Sequence, residues 1–331
     1  MKTTVQQNLI VAALIGAVTA ITAHAQAAPK MKMTTDIPPS IEIPDKVETR
    51  IGTLNFVDGF PDKETTQKVY DNLDFQRAVQ SFLIAMPGAS EVAIRQGIRN
   101  FGPDNQTVLL FETLMDSKSL FLTANTESIY GFAWGNLKDG PMVMETPPRV
   151  LGVVDDFWFR YVADFGLVGP DKGQGGKFLL LPPGYAGEIP DGYIVVHCPT
   201  INNLLFWRGA LVNGDPKPAV ESIKQTFRVY PLDHAADAPK MNFINCSGKE
   251  MNTVHATDFH FYEEVNQIVQ EEPNSAMDME TLGMLASIGI EKGKPFAPDA
   301  RMTEAGTSSS ASTARSNRIS TRRGDRASSR K

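Results

Sequence analysis

Cysteine is scarce in this chain, with only Cys198 and Cys246 in 331 residues, so at most one disulfide links it internally. No paired C-x-x-C, no H-E-x-x-H and no G-x-S-x-G occurs. Their absence removes support for zinc ribbons, zincin proteases and elbow-type serine hydrolases. Long apolar runs are also missing beyond residue 22, and nothing after that point has the roughly 20 apolar residues that span a bilayer. Basic residues are few in the first 300 positions. From Arg301 to Lys331 eight basic residues stand against Glu304 and Asp325, a balance of +6, so the preceding body carries −12 of a net −6. An acidic body makes a poor nucleic-acid binder, because phosphate contacts need clustered Lys and Arg.

What is present begins with an export signal. Lys2 supplies positive charge, Asn8 to Thr22 is apolar, and Ala23-His24-Ala25 offers a small-x-small cleavage site before Gln26. Residues 1–25 therefore read as a signal peptide, and the expected location is periplasmic or secreted, with no membrane attachment after cleavage. An oxidising compartment permits a Cys198–Cys246 disulfide, two buried unpaired thiols being the alternative. Residues 26–50, rich in Pro, Lys, Met and Thr, read as an extended leader. Residues 301–331, rich in Ser, Thr and Arg, have too little apolar surface to offset ordering entropy and read as a disordered tail.

From Asp62 the pattern is helical. Phe75, Val79, Phe82 and Met86 share a face, Pro87-Gly88 is expected to end the helix, and Ile94, Ile98 and Phe101 mark a second one. Beyond Asp104 the period becomes two. Candidate strands are Thr107–Thr113, Ser119–Ala124, Ile129–Trp134, Met142–Glu145, Val150–Val154, Phe157–Ala163, Lys177–Leu181 and Tyr193–Cys198, with another around Leu204–Val212. Further helices are expected after Asp215-Pro216 and from Thr257 or Asp258. The fold class predicted is α+β and β-rich, an antiparallel sandwich or barrel-like core flanked by an N-terminal helical pair and C-terminal helices.

The runs Tyr70 to Arg77, Leu122 to Ser128, Asp139-Gly140-Pro141 and Gly173 to Leu180 resemble the family called domain of unknown function 1254, over residues 51–300. The resemblance implies an exported β-rich protein and brings no established activity. Members of that family commonly carry a second β-rich part, domain of unknown function 1214. Here the family-like run from Gly293 to Met302 passes abruptly into the Ser/Arg segment, so a shifted reading frame that truncates the second domain is expected, a genuine tail being the alternative. Losing such a neighbour would expose apolar surface, which leaves homo-oligomerisation open.

Candidate chemistry is sparse. Asn125 and Glu127 lie between two strands, where Glu127 suits general acid or base work or metal ligation, and the competing reading is a surface Asx turn. Alternation along Phe157–Ala163 puts Asp156, Trp158, Arg160 and Asp164 on one face, suited to a small polar ligand, and Phe157, Phe159 and Tyr161 on a core-like face. An Asp156–Arg160 pair on a solvated edge is the plainer alternative. His197 alternates with Val195 and Tyr193 and is a candidate for a pocket. His255, Asp258 and His260 make the nearest approach to a metal cluster, but positions five apart do not share a helix face. Gly173-Gln174-Gly175-Gly176-Lys177 leads into a strand, which favours a hairpin connection over a phosphate loop. Two functions stand open and neither calls for a cofactor. One is a module binding a small polar ligand through Asn125, Glu127, Trp158 and Arg160. The other is a hydrolase-like enzyme using Glu127 or Asp156 as acid or base, with His197 or Arg208 stabilising developing charge.

Overall fold

The computed structural model describes residues 38–121 and 124–310. The expected signal peptide, most of the leader and the tail beyond residue 310 lie outside the described residues. The chain divides into two compact units, one through Thr65 and one from Thr66.

The first unit holds an antiparallel meander of β1 (Lys46–Thr49), β2 (Gly52–Val57) and β3 (Phe60–Pro61). Thr49 Oγ1 donates to the Gly52 carbonyl across the first turn. The end of the expected leader is therefore strand. Asp62 caps the following helix, accepting from Thr65 N at 2.6 Å.

That helix, α1 (Lys63–Arg99), runs unbroken through Pro87-Gly88, where two helices are expected from the sequence. Leu83, whose carbonyl Pro87 leaves without its helical donor, and Ile84 are exposed, so the interruption falls on the outer side of the helix. Gly88 is there for a different reason: a Cβ at this position would lie 2.7 Å from both the Trp158 ring and Ile268. The dipeptide marks a close approach and not a stop.

The second unit continues with β4 (Thr107–Leu110), β5 (Ser119–Leu120), β6 (Ile129–Asn136), β7 (Met142–Glu145), β8 (Val150–Asp156), β9 (Tyr161–Gly166), β10 (Lys177–Leu181), β11 (Ile194–His197) and β12 (Asn202–Gly209). Then come α2 (Lys217–Thr226), β13 (Arg228–Pro231), β14 (Asn242–Asn245), β15 (Met251–Asn252), α3 (His260–Glu271) and α4 (Met279–Ala286). A six-stranded sheet has the order β14-β4-β6-β12-β8-β9 and a four-stranded sheet the order β11-β10-β7-β13. The pairs β4–β14, β10–β11 and β5–β15 are parallel, so the sheets are mixed where an antiparallel core is expected.

The layers follow from strand alternation. Leu109, Phe132, Trp134 and Leu204 pack on one face of the large sheet against Phe82, Ala85 and Ala89 of α1 and Phe261, Val265 and Ile268 of α3. On the other face Val108, Leu110, Ala133, Leu205 and Trp207 meet Met144, Phe178, Leu180 and Val229 of the small sheet and Val220 and Ile223 of α2. The result is helices on a sheet on a second sheet, an α+β fold rich in β structure. Among the described residues no helix is long and apolar enough to cross a membrane.

Of the two alternatives open for the cysteines, the structure has the buried unpaired thiols: Cys246 lies in the helix-side core and Cys198 between the sheets, so the large sheet separates them. Burial pushes the Cys198 and Cys246 thiols up, to about 12 and about 11. Three further expectations are corrected. The predicted Phe157–Ala163 strand is a turn followed by β9, and Phe159 and Tyr161, expected in the core, are 47% and 65% exposed. The glycine-rich segment is no hairpin, since it carries the chain from β9 of one sheet to β10 of the other. Residues 300–310 are helical where disorder is expected, with Ser309 hydrogen bonded to the Tyr262 hydroxyl.

Candidate functional site

The residues singled out from the sequence fall in three places. β12 pairs Gly209 with Ile129 and Val150 at one end, and Asn203 with Asp156 near the other. Asn125, Glu127 and Arg208 belong to the first end, and Asp156, Trp158 and Arg160 to the second, roughly 17 Å away at strand spacing. His197 stands on the small sheet. The Asn125 side-chain oxygen accepts from Glu127 N at 3.0 Å and Ser128 Oγ at 2.9 Å, an Asx turn that leaves Glu127 on the surface. His197 is exposed because β11 buries Val196 and Cys198 instead. His260 Nδ1 meets Asp258 Oδ1 at 2.9 Å on the surface, while His255 packs edge-on against Phe82 and Phe261. Among the described residues no group of three His, Cys, Asp or Glu is placed to hold a metal ion.

The second end of the sheet is where buried charge collects. Asp156, 1% exposed, organises the turn between β8 and β9. Its carboxylate accepts from Trp158 N at 2.8 Å, Arg160 N at 3.0 Å and the Arg160 guanidinium at 2.7–2.8 Å. Arg160 also donates to the Ala276 carbonyl at 2.6 Å. This grip holds Phe159 at φ 57°, a conformation that a bulky residue seldom adopts. Asp156 and Arg160 are thus committed to each other and to the backbone, and Trp158 faces Gly88 in the core.

Above this turn α1 presents Gly88, Glu91 and Arg95 on one face, by helical periodicity. Gly88 abuts the Trp158 ring, and the Arg95 guanidinium lies 4.4 Å from the Phe157 ring centroid and 5.7 Å from that of Trp134. Glu91 is bracketed between these contacts and so looks onto the 156–158 turn.

Arg95, 1% exposed, is fully partnered. It grips Glu271 with two bonds, 2.5 and 2.9 Å, and donates to Asn202 Oδ1 at 3.2 Å. Asn202 also accepts from the Trp134 indole and donates to Glu272 at 2.8 Å, and Glu272 in turn accepts from the backbone of Ile201 and Asn202. Burial works to raise Glu271, but the hydrogen bond and charge of Arg95 hold it below its ordinary value. Glu272 is raised by burial despite its bonds to Asn202 and Ile201.

Glu91 is the opposite case. It is 0% exposed and neither carboxylate oxygen has a hydrogen-bond partner. Burial, then the charges of Asp155 and Asp156, push its pKa well above the ordinary value, and Arg95 opposes this only in part. Asp155, half-buried at the end of β8, is pushed up to about 6 by burial and by the charges of Asp156 and Asp164. The Trp158 indole N–H is likewise buried without a partner. The larger surface grooves lie elsewhere. One of about 460 Å³ is lined by Asn105, Asn136, Asp139 and His234, but the Asn105 amide is bonded to the backbone of Asn136, and the Asn136 amide donates to Asp104 and accepts from Lys138 N.

Glu91, Arg95, Asp155, Asn202, Glu271 and Glu272 are all absent from the sequence-derived candidates. The signal was the phase of Glu91 and Arg95, which fall in step with Gly88 and Ile98 on the buried face.

Residues 105–231 match the model of a protein family of unknown function, DUF1254. The matched region runs from the loop before β4 to the end of β13. It contains Asp155, Asp156, Arg160 and Asn202, while Glu91, Arg95, Glu271 and Glu272 come from helices on either side of it. Among solved structures, the chain is similar to the VPA0106 protein of Vibrio parahaemolyticus, with 16% identity and a TM-score of 0.52. That likeness covers 75% of this chain and 59% of the other, so the chain spans under two thirds of VPA0106, and it is a likeness of fold. An uncharacterised protein of Burkholderia cenocepacia aligns over 54% of this chain and 52% of its own, with 11% identity and a TM-score of 0.25. No curated protein matches the chain.

Proposed function

We propose that the protein is an exported module that binds a small polar ligand at the acid-lined end of its six-stranded sheet. The observation that carries this reading is Glu91, a buried carboxylate with no partner, looking onto a turn whose own carboxylate, Asp156, is already taken. An unpaired buried polar group costs about 1–3 kcal/mol, and groups kept at such cost concentrate where a ligand completes the set. Support for export comes from the charged, apolar and small-residue zones of positions 1–25.

A hydrolase-like reading has one observation in its favour: Asp155, half-buried and raised to about 6, is tuned toward general acid or base work near neutrality. Turnover of the bound ligand separates the two readings.

The test begins with protein recovered from the periplasm of an expressing bacterium. N-terminal sequencing is expected to start at Gln26, and an intact Met1 would remove the export half of the proposal. The same protein is then melted with amines, amino acids, sugars and phosphates, each at millimolar concentration. A saturable rise in Tm with one class supports binding. No shift with any class overturns it.

A further inference from the structure

We infer that the acid-lined end binds a cationic organic group, an ammonium or guanidinium, held between Glu91, Asp155 and Asp164. The inference rests on the binding reading above and narrows its ligand class. The argument is a balance of charge at one place. Asp156 is matched by Arg160, and Arg95 is matched by Glu271. Those pairs consume both of these guanidinium groups, and Arg99, which also reaches this end of the sheet, is taken up by Asp104. Glu91 on α1, Asp155 on β8 and Asp164 on β9 have no basic partner. Asp164 receives only the neutral Tyr161 hydroxyl, at 3.2 Å. Strand pairing sets Asp164 opposite Val153, two positions from Asp155 and on the same face of the sheet.

An anion would add to this repulsion, and a neutral ligand would leave it. A metal ion needs its ligands gathered on one point, which these carboxylates are not. A guanidinium or ammonium carries three or more N–H donors on a larger frame and reaches carboxylates that stand apart. Asp155 and Asp164 are half-buried, Asp164 on the edge strand β9, while Glu91 is fully buried.

Calorimetric titration with agmatine and putrescine, at matched ionic strength, tests this directly. Saturable binding is expected at pH 7.5, at least tenfold weaker at pH 5, where Asp155 is protonated. Near pH 6.5 binding is expected to release protons, seen as heats that change with the buffer's ionisation enthalpy. Asp155→Asn is expected to weaken binding at least tenfold. Asp164→Asn, at the sheet edge, does the same should the first variant fail to fold. A Gly-Arg-Gly tripeptide separates sources: binding of agmatine alone marks a free amine, and binding of the tripeptide marks a basic side chain, either supporting a cation site. Equal affinity in both aspartate variants, or no saturation with any cation, overturns the inference. Sugars or phosphates binding in place of cations would sink it while leaving the binding reading intact. No ligand of any class would sink both.

Discussion

Glu91 and Arg95 sit one turn apart on the same face of the same helix, equally buried, and the protein treats them in opposite ways. Arg95 has two bonds to Glu271, one to Asn202 and two aromatic faces against it. Glu91 has none. Burial alone therefore does not decide what a charged residue does in a core. A charge with its complete set of partners ties elements together, here α1 to α3 and β12. A carboxylate without partners gives up its charge instead, and its proton becomes part of the structure.

Breaking the satisfied pair has the largest expected effect. Glu271→Ala leaves Arg95 charged and buried with only Asn202, at a cost of about 3–5 kcal/mol, measured as a lower urea midpoint. Arg95→Leu in the same chain is expected to restore much of that loss, because the apolar pair removes the uncompensated charge. A double variant as unstable as Glu271→Ala would show that the network matters through Asn202 and Glu272 and not through Arg95.

Removing the unsatisfied group has the opposite sign. Glu91→Leu is expected to stabilise the unliganded protein by about 1–3 kcal/mol at neutral pH, since no bond is lost and an unpaired polar group is deleted. The pH dependence sharpens the contrast. Native Glu91 keeps a proton that the unfolded chain has already released, so its contribution is fully present below the unfolded value and is lost as pH rises through the folded one. Wild-type stability is therefore expected to fall from pH 5 toward pH 8, and Glu91→Leu to flatten that slope. Part of the slope remains, because Asp155 and Glu264, raised to about 6 and about 7, act in the same direction. A variant with the wild-type slope would show that Glu91 is not the proton carrier.

Much of the layer structure was legible in the sequence, because period and side-chain type report on burial directly. Met142–Glu145 and Lys177–Leu181 are strands with the predicted ends, and the α3 stripe of Phe261, Val265 and Ile268 is buried as read. Pairing between distant strands has no such signature, which is why the parallel partners β14 and β11 were not foreseen. The site was legible only in fragments. Asp156 and Arg160 were noticed as a pair, but alternation assumed a strand where the Asp156 carboxylate folds a turn. Glu91 was passed over because an isolated Glu in a helix usually reads as surface, and only the depth of the helix face on which it falls shows otherwise.

The smallest effect belongs to the residue that sets how close this helix face comes to the turn. Alanine in place of Gly88 gains about 1 kcal/mol in helix propensity. It also puts a Cβ 2.7 Å from the Trp158 ring and from Ile268. Ile268 offers the end of a flexible side chain and can turn aside. The Trp158 ring cannot, because the Asp156 grip fixes the backbone on both sides of it. Overpacking of this kind costs about 1–3 kcal/mol, so Gly88→Ala is expected to destabilise by about 1 kcal/mol net, read as a small drop in Tm. Asp156→Asn in the same chain frees the turn to move, so the two substitutions are expected to be less than additive. Strict additivity would mean that Trp158 is held by the core around it and not by the turn, and that Glu91 looks onto a surface set by packing alone.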